Sequence, residues 1–141
     1  MKVYLDTSSL FKLYQREPDS GTVEEVFKNR SIDDIFISEI AKVEFVSALF
    51  KKVRMKETEL ADAEKAIRLF ENDLTKYTVV AAQSNLLETA KDLIVTYGIT
   101  GLRTLDSIQL ACAIEVRDQI DKYFTSDKLL RFLFQKENLP I

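Results

Sequence analysis

Short apolar runs alternate along this chain with longer stretches whose hydrophobic residues recur every three or four positions. Val3-Tyr4-Leu5 stops at Asp6 and reads as a buried strand. Asp6-Thr7-Ser8-Ser9 then offers several N-cap residues for a helix reaching about position 15. Glu17-Pro18-Asp19-Ser20-Gly21 breaks that helix, and Val23, Val26 and Phe27 resume helical spacing. Ile35-Phe36-Ile37 predicts a second strand, followed by Ser38 as a candidate cap for a helix ending near Arg54. In that helix Val43, Val46, Phe50 and Val53 form the bulky stripe. Glu44 points away from it, among Ile40, Ala41, Ser47 and Ala48.

Leu60, Ala63, Ile67, Phe70 and Leu74 step by three and four and line one helical face. Tyr77-Thr78-Val79-Val80 is β-branched and aromatic and predicts a third strand. The spacing predicts a helix over 84–97 with Gly98 at its stop, a loop over 100–103, and a helix over 104–117 capped by Thr104. This last helix is apolar nearly all round and is expected at the centre. Tyr123-Phe124-Thr125 predicts a fourth strand, 129–134 a short helix and 139–141 a last edge strand. Strands and helices alternate without a hairpin dipeptide between neighbouring strands. The expected architecture is therefore α/β: a single domain over 1–141 with a central, mostly parallel sheet of four or five short strands, flanked by helices on both faces.

Composition narrows the chemistry. The 141 residues include 20 Lys and Arg against 23 Asp and Glu, a net charge of 20 − 23 = −3, so no whole-chain basic footprint marks a nucleic-acid coat. There is no histidine and one cysteine, Cys112. Histidine bases, His-paired nucleophiles, cysteine cages and intrachain disulfides are excluded. Acid–base or metal chemistry falls to carboxylates. No run approaches the ~20 apolar residues of a membrane span, and no targeting signal is seen, so a cytoplasmic, membrane-free protein is expected.

Ligands of open parallel sheets gather at the carboxyl ends of the strands. Asp6 ends the first strand, Asp127 follows the fourth, Asp106 lies in the first turn of the apolar helix, and Glu44 lies in the helix after the second strand. Each has a plainer reading. Asp6 and Asp127 are good N-caps, Asp106 suits a helix dipole, and Glu44 suits a surface. Brought within ~4 Å, such acids would repel by roughly 4 kcal/mol per ionised pair at an effective dielectric near 20. A hard divalent cation such as Mg²⁺ or Mn²⁺ removes that conflict.

Four stretches, taken in order, carry a resemblance. They are Val3-Tyr4-Leu5-Asp6-Thr7-Ser8-Ser9-Leu10, Ser38-Glu39-Ile40-Ala41-Lys42-Val43-Glu44-Phe45, Arg103-Thr104-Leu105-Asp106-Ser107-Ile108-Gln109-Leu110-Ala111 and Phe124-Thr125-Ser126-Asp127-Lys128-Leu129. Together they resemble the PIN-domain ribonucleases, most closely the VapC-type toxins of toxin–antitoxin pairs, across nearly the whole chain. The resemblance implies a Mg²⁺- or Mn²⁺-dependent endoribonuclease with Asp6, Glu44, Asp106 and Asp127 as catalytic and metal-holding acids, and with Thr7 and Thr125 in support. It also implies a VapB-like antitoxin that blocks the acidic site, and a homodimer. Lys51, Lys52, Arg103, Lys12 and Arg16 are candidate RNA contacts, with a solvated helix end as the plainer reading of the first two. Tyr4, Phe11, Leu13 and Tyr14 read as core or as a surface for the antitoxin. Other readings are a PIN nuclease of RNA processing without an antitoxin, a phosphatase, disfavoured because Ser8 stands where a second acid is needed, and a non-catalytic binding protein.

Overall fold

A computed structural model describes residues 1–16, 20–29 and 31–141, with only the backbone described at 20–22, 26 and 29. The expected break at Glu17, Pro18 and Asp19, and the side chain of Val26, lie outside the described residues. Four strands, β1 (Lys2–Leu5), β2 (Asp34–Ser38), β3 (Tyr77–Val80) and β4 (Lys122–Phe124), pair in parallel in the order β3-β2-β1-β4. Between and after them run α1 (Thr7–Phe11), α2 (Ser20–Asn29), α3 (Ala41–Arg54), α4 (Leu60–Asp73), α5 (Ser84–Tyr97), α6 (Thr104–Glu115) and α7 (Lys128–Lys136).

The period-two alternation of the strands divides the core between the two faces of the sheet. Tyr4 is paired in register with Phe36 and Tyr123, and this row packs under α5, α6 and α7. One residue on, Leu5 is in register with Ile37 and Phe124, and Leu5 and Ile37 pack under α1, α3 and α4. In the second layer Phe45 lies 4.4 Å from Phe70 between ring centroids, and Tyr14 meets both rings edge-on. Such aromatic pairs add about 0.5–1.5 kcal/mol each beyond the area they bury. The first layer is threaded by α6, which buries Leu110, Ala111, Cys112 and Ala113.

Several expectations change. The first helix ends at Phe11, and Lys12, Leu13 and Tyr14 continue as turns. Ser38 does not cap α3: it completes β2, fully buried, with its hydroxyl 3.1 Å from the Cys112 thiol. α3 begins three residues later with no side-chain cap. Its buried face is Ala41, Phe45 and Leu49, whereas Val43 is 72% exposed and Phe50 39%. The aromatic cluster around Phe70 captures Phe45 and turns the helix by about one position, which moves Glu44 from the far side to the flank of the buried face. On α4 the stripe runs through Ala63, Ala66 and Phe70, with Leu60 left exposed at its start. Thr104 is the first residue of α6, which Arg103 precedes at the N-cap without a side-chain bond. Gly98 keeps a right-handed conformation and opens a short 3₁₀ turn. Gly101, at φ 113°, is the position that needs glycine. The 139–141 strand does not form. Tyr123 N–H donates to the Pro140 carbonyl, 2.7 Å, but Pro140 has no N–H with which to extend a ladder. The sheet therefore has four strands. Among the described residues no helix is long and apolar enough to cross a membrane.

Candidate active site

The chain runs outward from β1 through β2 to β3, then crosses back to place β4 on the other side of β1. The strand order thus reverses beside β1, and a crevice opens there at the carboxyl ends of the strands. Asp6 stands at this point. It is 2% exposed and caps α1, accepting a bond from Ser9 N–H at 2.9 Å. The Ser8 hydroxyl donates to both its oxygens, at 2.7 and 2.9 Å, and Thr125 Oγ1 donates to Oδ2 at 2.5 Å. Burial pushes the Asp6 carboxyl above the ordinary range, opposed by these donors from Thr125, Ser8 and Ser9. Thr125 also accepts from the Asp127 N–H, 3.0 Å, and so ties the ends of β1 and β4 together. Asp127 caps α7 by accepting from Leu130 N–H, 2.8 Å. The capping reading of both aspartates is correct, and it also explains how each is held in place.

Glu44 enters from the first turn of α3. Its Oε1 accepts from Thr7 Oγ1 at 2.7 Å and from Gln109 Nε2 at 2.9 Å. Asp106 enters from the first turn of α6, half-buried. Desolvation raises its pKa, the charges of Asp127 and Glu44 raise it further, and Arg103 opposes them. Glu44, Asp106 and Asp127 therefore share one electrostatic neighbourhood, and Asp6 joins it through Thr125. Among the described residues no three carboxylates converge as a ready-made cage. The donors are nonetheless all oxygen, and Mg²⁺ is commonly held through one or two carboxylates with several waters. The acids fit a hard ion bound partly through water.

Gln109 escaped the sequence reading. It is 2% exposed and one helical turn beyond Asp106. Its amide oxygen accepts from Tyr4 Oη at 3.0 Å, and its Nε2 reaches Thr7 Oγ1 at 2.8 Å as well as Glu44. The available signal was one long polar side chain in a helix otherwise apolar on that side. Of the candidate RNA contacts, Lys51 and Lys52 line a groove of about 570 Å³ beside Thr7 and Ser8. Lys52 lies 3.6 Å from Glu57 and over the Phe11 ring, and Arg103 stands by Asp106. Tyr4 and Phe11 are buried, although Phe11 also lines that groove, and Leu13 and Tyr14 pack against the second core layer.

Acids at the reversal point of a small parallel sheet, covered by helices on both faces, define an α/β domain with a candidate site at its strand ends. The chain belongs to the PIN domain family, whose model matches residues 3–131. Its fold is similar to that of the sarcin–ricin-loop-cleaving toxin VapC20 of Mycobacterium tuberculosis, at 16% identity and a TM-score of 0.70, over 93% of this chain and 94% of that one. It is also similar to a chain of the Rickettsia felis VapBC2 complex bound to a DNA fragment from its promoter, at 17% identity and a TM-score of 0.62, over 100% of this chain and 96% of that one. No curated protein matches the chain.

Proposed function

We propose that this protein is a divalent-metal-dependent endoribonuclease acting in the cytoplasm as the toxin of a VapBC-type pair, formed by the single PIN domain over 1–141. One observation supports the reading: in a PIN-family chain, Thr125 ties Asp6 to the backbone of Asp127 and the residue after Asp6, Thr7, bonds Glu44, so acids from distant segments meet at the carboxyl ends of β1 and β4. Spatial grouping of like charges costs free energy unless a cation offsets it. Scattered helix caps give no reason for that cost.

In this reading Asp6, Asp106, Asp127 and Glu44 would hold Mg²⁺ or Mn²⁺, and the ion, when bound, would supply Lewis acidity for the scissile phosphate and the attacking water. Thr7 and Gln109 hold one oxygen of Glu44, so its other oxygen orients the attacking water and takes its proton. Thr125 and Ser8 donate to Asp6 and oppose the effect of burial on its carboxyl. Water attacks phosphorus in line as Glu44 takes its proton, the P–O3′ bond breaks, and the leaving 3′-oxygen takes a proton from solvent water, so the products carry a 5′-phosphate and a 3′-hydroxyl. The 2′-hydroxyl is not the nucleophile, which suits a site without histidine. A VapB-like antitoxin covers this site, and the toxin pairs as a homodimer.

Purified protein incubated with total RNA and Mg²⁺ is the test. Cleavage leaving 5′-phosphates, abolished by EDTA and by Asp106→Asn, is expected. Ends bearing 2′,3′-cyclic phosphate, or cleavage by Asp106→Asn at the wild-type rate, would overturn the assignment. Toxicity on expression that no small neighbouring DNA-binding protein relieves would favour an RNA-processing nuclease without an antitoxin.

A further inference from the structure

Two grooves meet beside the acids. The first, about 570 Å³, lies between α1 and the carboxyl half of α3 and carries Lys12, Lys51 and Lys52. The second, about 430 Å³, follows the outer edge of β4 between α1 and α7 and carries Lys12, Lys122, Lys128 and Arg131. Both include Lys12 and Ser126, so they adjoin at those residues, where the largely buried Lys12 donates its ammonium to the Ser126 hydroxyl, and a strand crossing that junction would follow one bent channel. Among the described lining residues, six cationic side chains accompany one acidic side chain, Glu57. This contrasts with a whole-chain charge of −3. A local reversal of sign on an acidic protein focuses a polyanion.

The channel also runs past the site. Thr7 and Ser8 line the first groove and Thr125 the second, and these residues bond Glu44 or Asp6. Lys52 lies over the Phe11 ring and Lys122 over the Phe124 ring, at 5.7 and 5.5 Å, which restrains two of the ammonium groups along the channel wall.

We propose that this channel is the track of a single RNA strand. One arm is held by Lys51 and Lys52, the other by Lys122, Lys128 and Arg131, and the strand bends at Lys12 and Ser126 past the acids. The proposal rests on the nuclease reading and adds to it a β4-edge arm. Single-stranded RNA fits because its charge repeats at every nucleotide and its backbone bends freely, matching cations spread along two arms.

The test is fluorescence anisotropy of a labelled oligouridylate with the full chain in EDTA, across a salt series. Substituting Lys122→Gln, Lys128→Gln and Arg131→Gln together should weaken binding roughly tenfold or more at low salt and flatten the log–log salt slope by about 2, near 0.7 per lost phosphate contact on single strands. With Mg²⁺ the same variant should show a raised KM and an unchanged kcat. Lys65→Gln, Arg68→Gln and Lys91→Gln, outside both grooves, remove the same charge and should leave affinity unchanged. Equal losses in the two triple variants, or no change in the groove variant, would overturn the track. Poly-glutamate competing as well as RNA would overturn it in favour of an acidic protein segment. Weakened binding by the groove variant alongside full cleavage by Asp106→Asn would keep the track and reject the proposed mechanism.

Discussion

Gln109 shows how little of a site one residue type announces. The Glu44 carboxylate only accepts, so it selects the Nε2 end of the amide, and the amide oxygen is left to accept from Tyr4 Oη. Gln109→Met keeps the volume and removes the donor. It should lower the cleavage rate by roughly tenfold to a hundredfold, the equivalent of about 1.5–3 kcal/mol for a hydrogen bond to a charged group. Circular dichroism should show the fold intact. Asp106 gives a pH prediction. Its folded pKa is raised, by desolvation first and then by Asp127 and Glu44, and Asp6 is raised by burial. A carboxyl whose folded pKa lies above its unfolded value of about 3.9 binds protons more readily in the native state. Its ionisation therefore lowers stability as pH rises through the folded value. Metal-free protein should melt higher at mildly acidic than at neutral pH, and Asp106→Asn should raise the neutral melting temperature while abolishing cleavage. A variant melting lower than wild type in EDTA at neutral pH would count against this electrostatic account.

At the scale of elements, the strands and the helix over 84–97 were legible because their period and bounding residues agree. β3 begins and ends where the alternation of Tyr77 to Val80 places it. The phase of α3 was not legible. Its β-branched stripe and its aromatic residue compete, and only the distant Phe70 and Tyr14 decide for Phe45. The Ser38 hydroxyl was read as a local cap, but a partner 74 residues away, Cys112, takes it inside. Long-range packing of this kind leaves no trace in local spacing. The placement of the four carboxylates was legible because each sits at or near the end of an element, where caps and dipoles also favour acids. Gly101 adds an element-scale prediction. The added Cβ of Gly101→Ala has room, 3.8 Å from the nearest Leu129 carbon, but φ 113° is strained for any L side chain. The substitution should cost about 1–3 kcal/mol in a urea melt, and should disturb the turn that delivers Arg103 and Asp106.

For the whole molecule, the parallel order β3-β2-β1-β4 brings together residues as far apart in sequence as Asp6 and Thr125. The sheet and its two core layers form the core, and the acids stand at the carboxyl ends of its strands or in the first turns of the helices beside them, with Asp6 buried there. The account's central claim is that these acids share a divalent cation, and calorimetric titration of Mn²⁺ into the metal-free protein at neutral pH tests it most directly. The account predicts saturable binding by the wild type that is lost in Asp106→Asn although that variant stays folded. A wild type that takes up no Mn²⁺, or a variant that takes it up equally well, would contradict it.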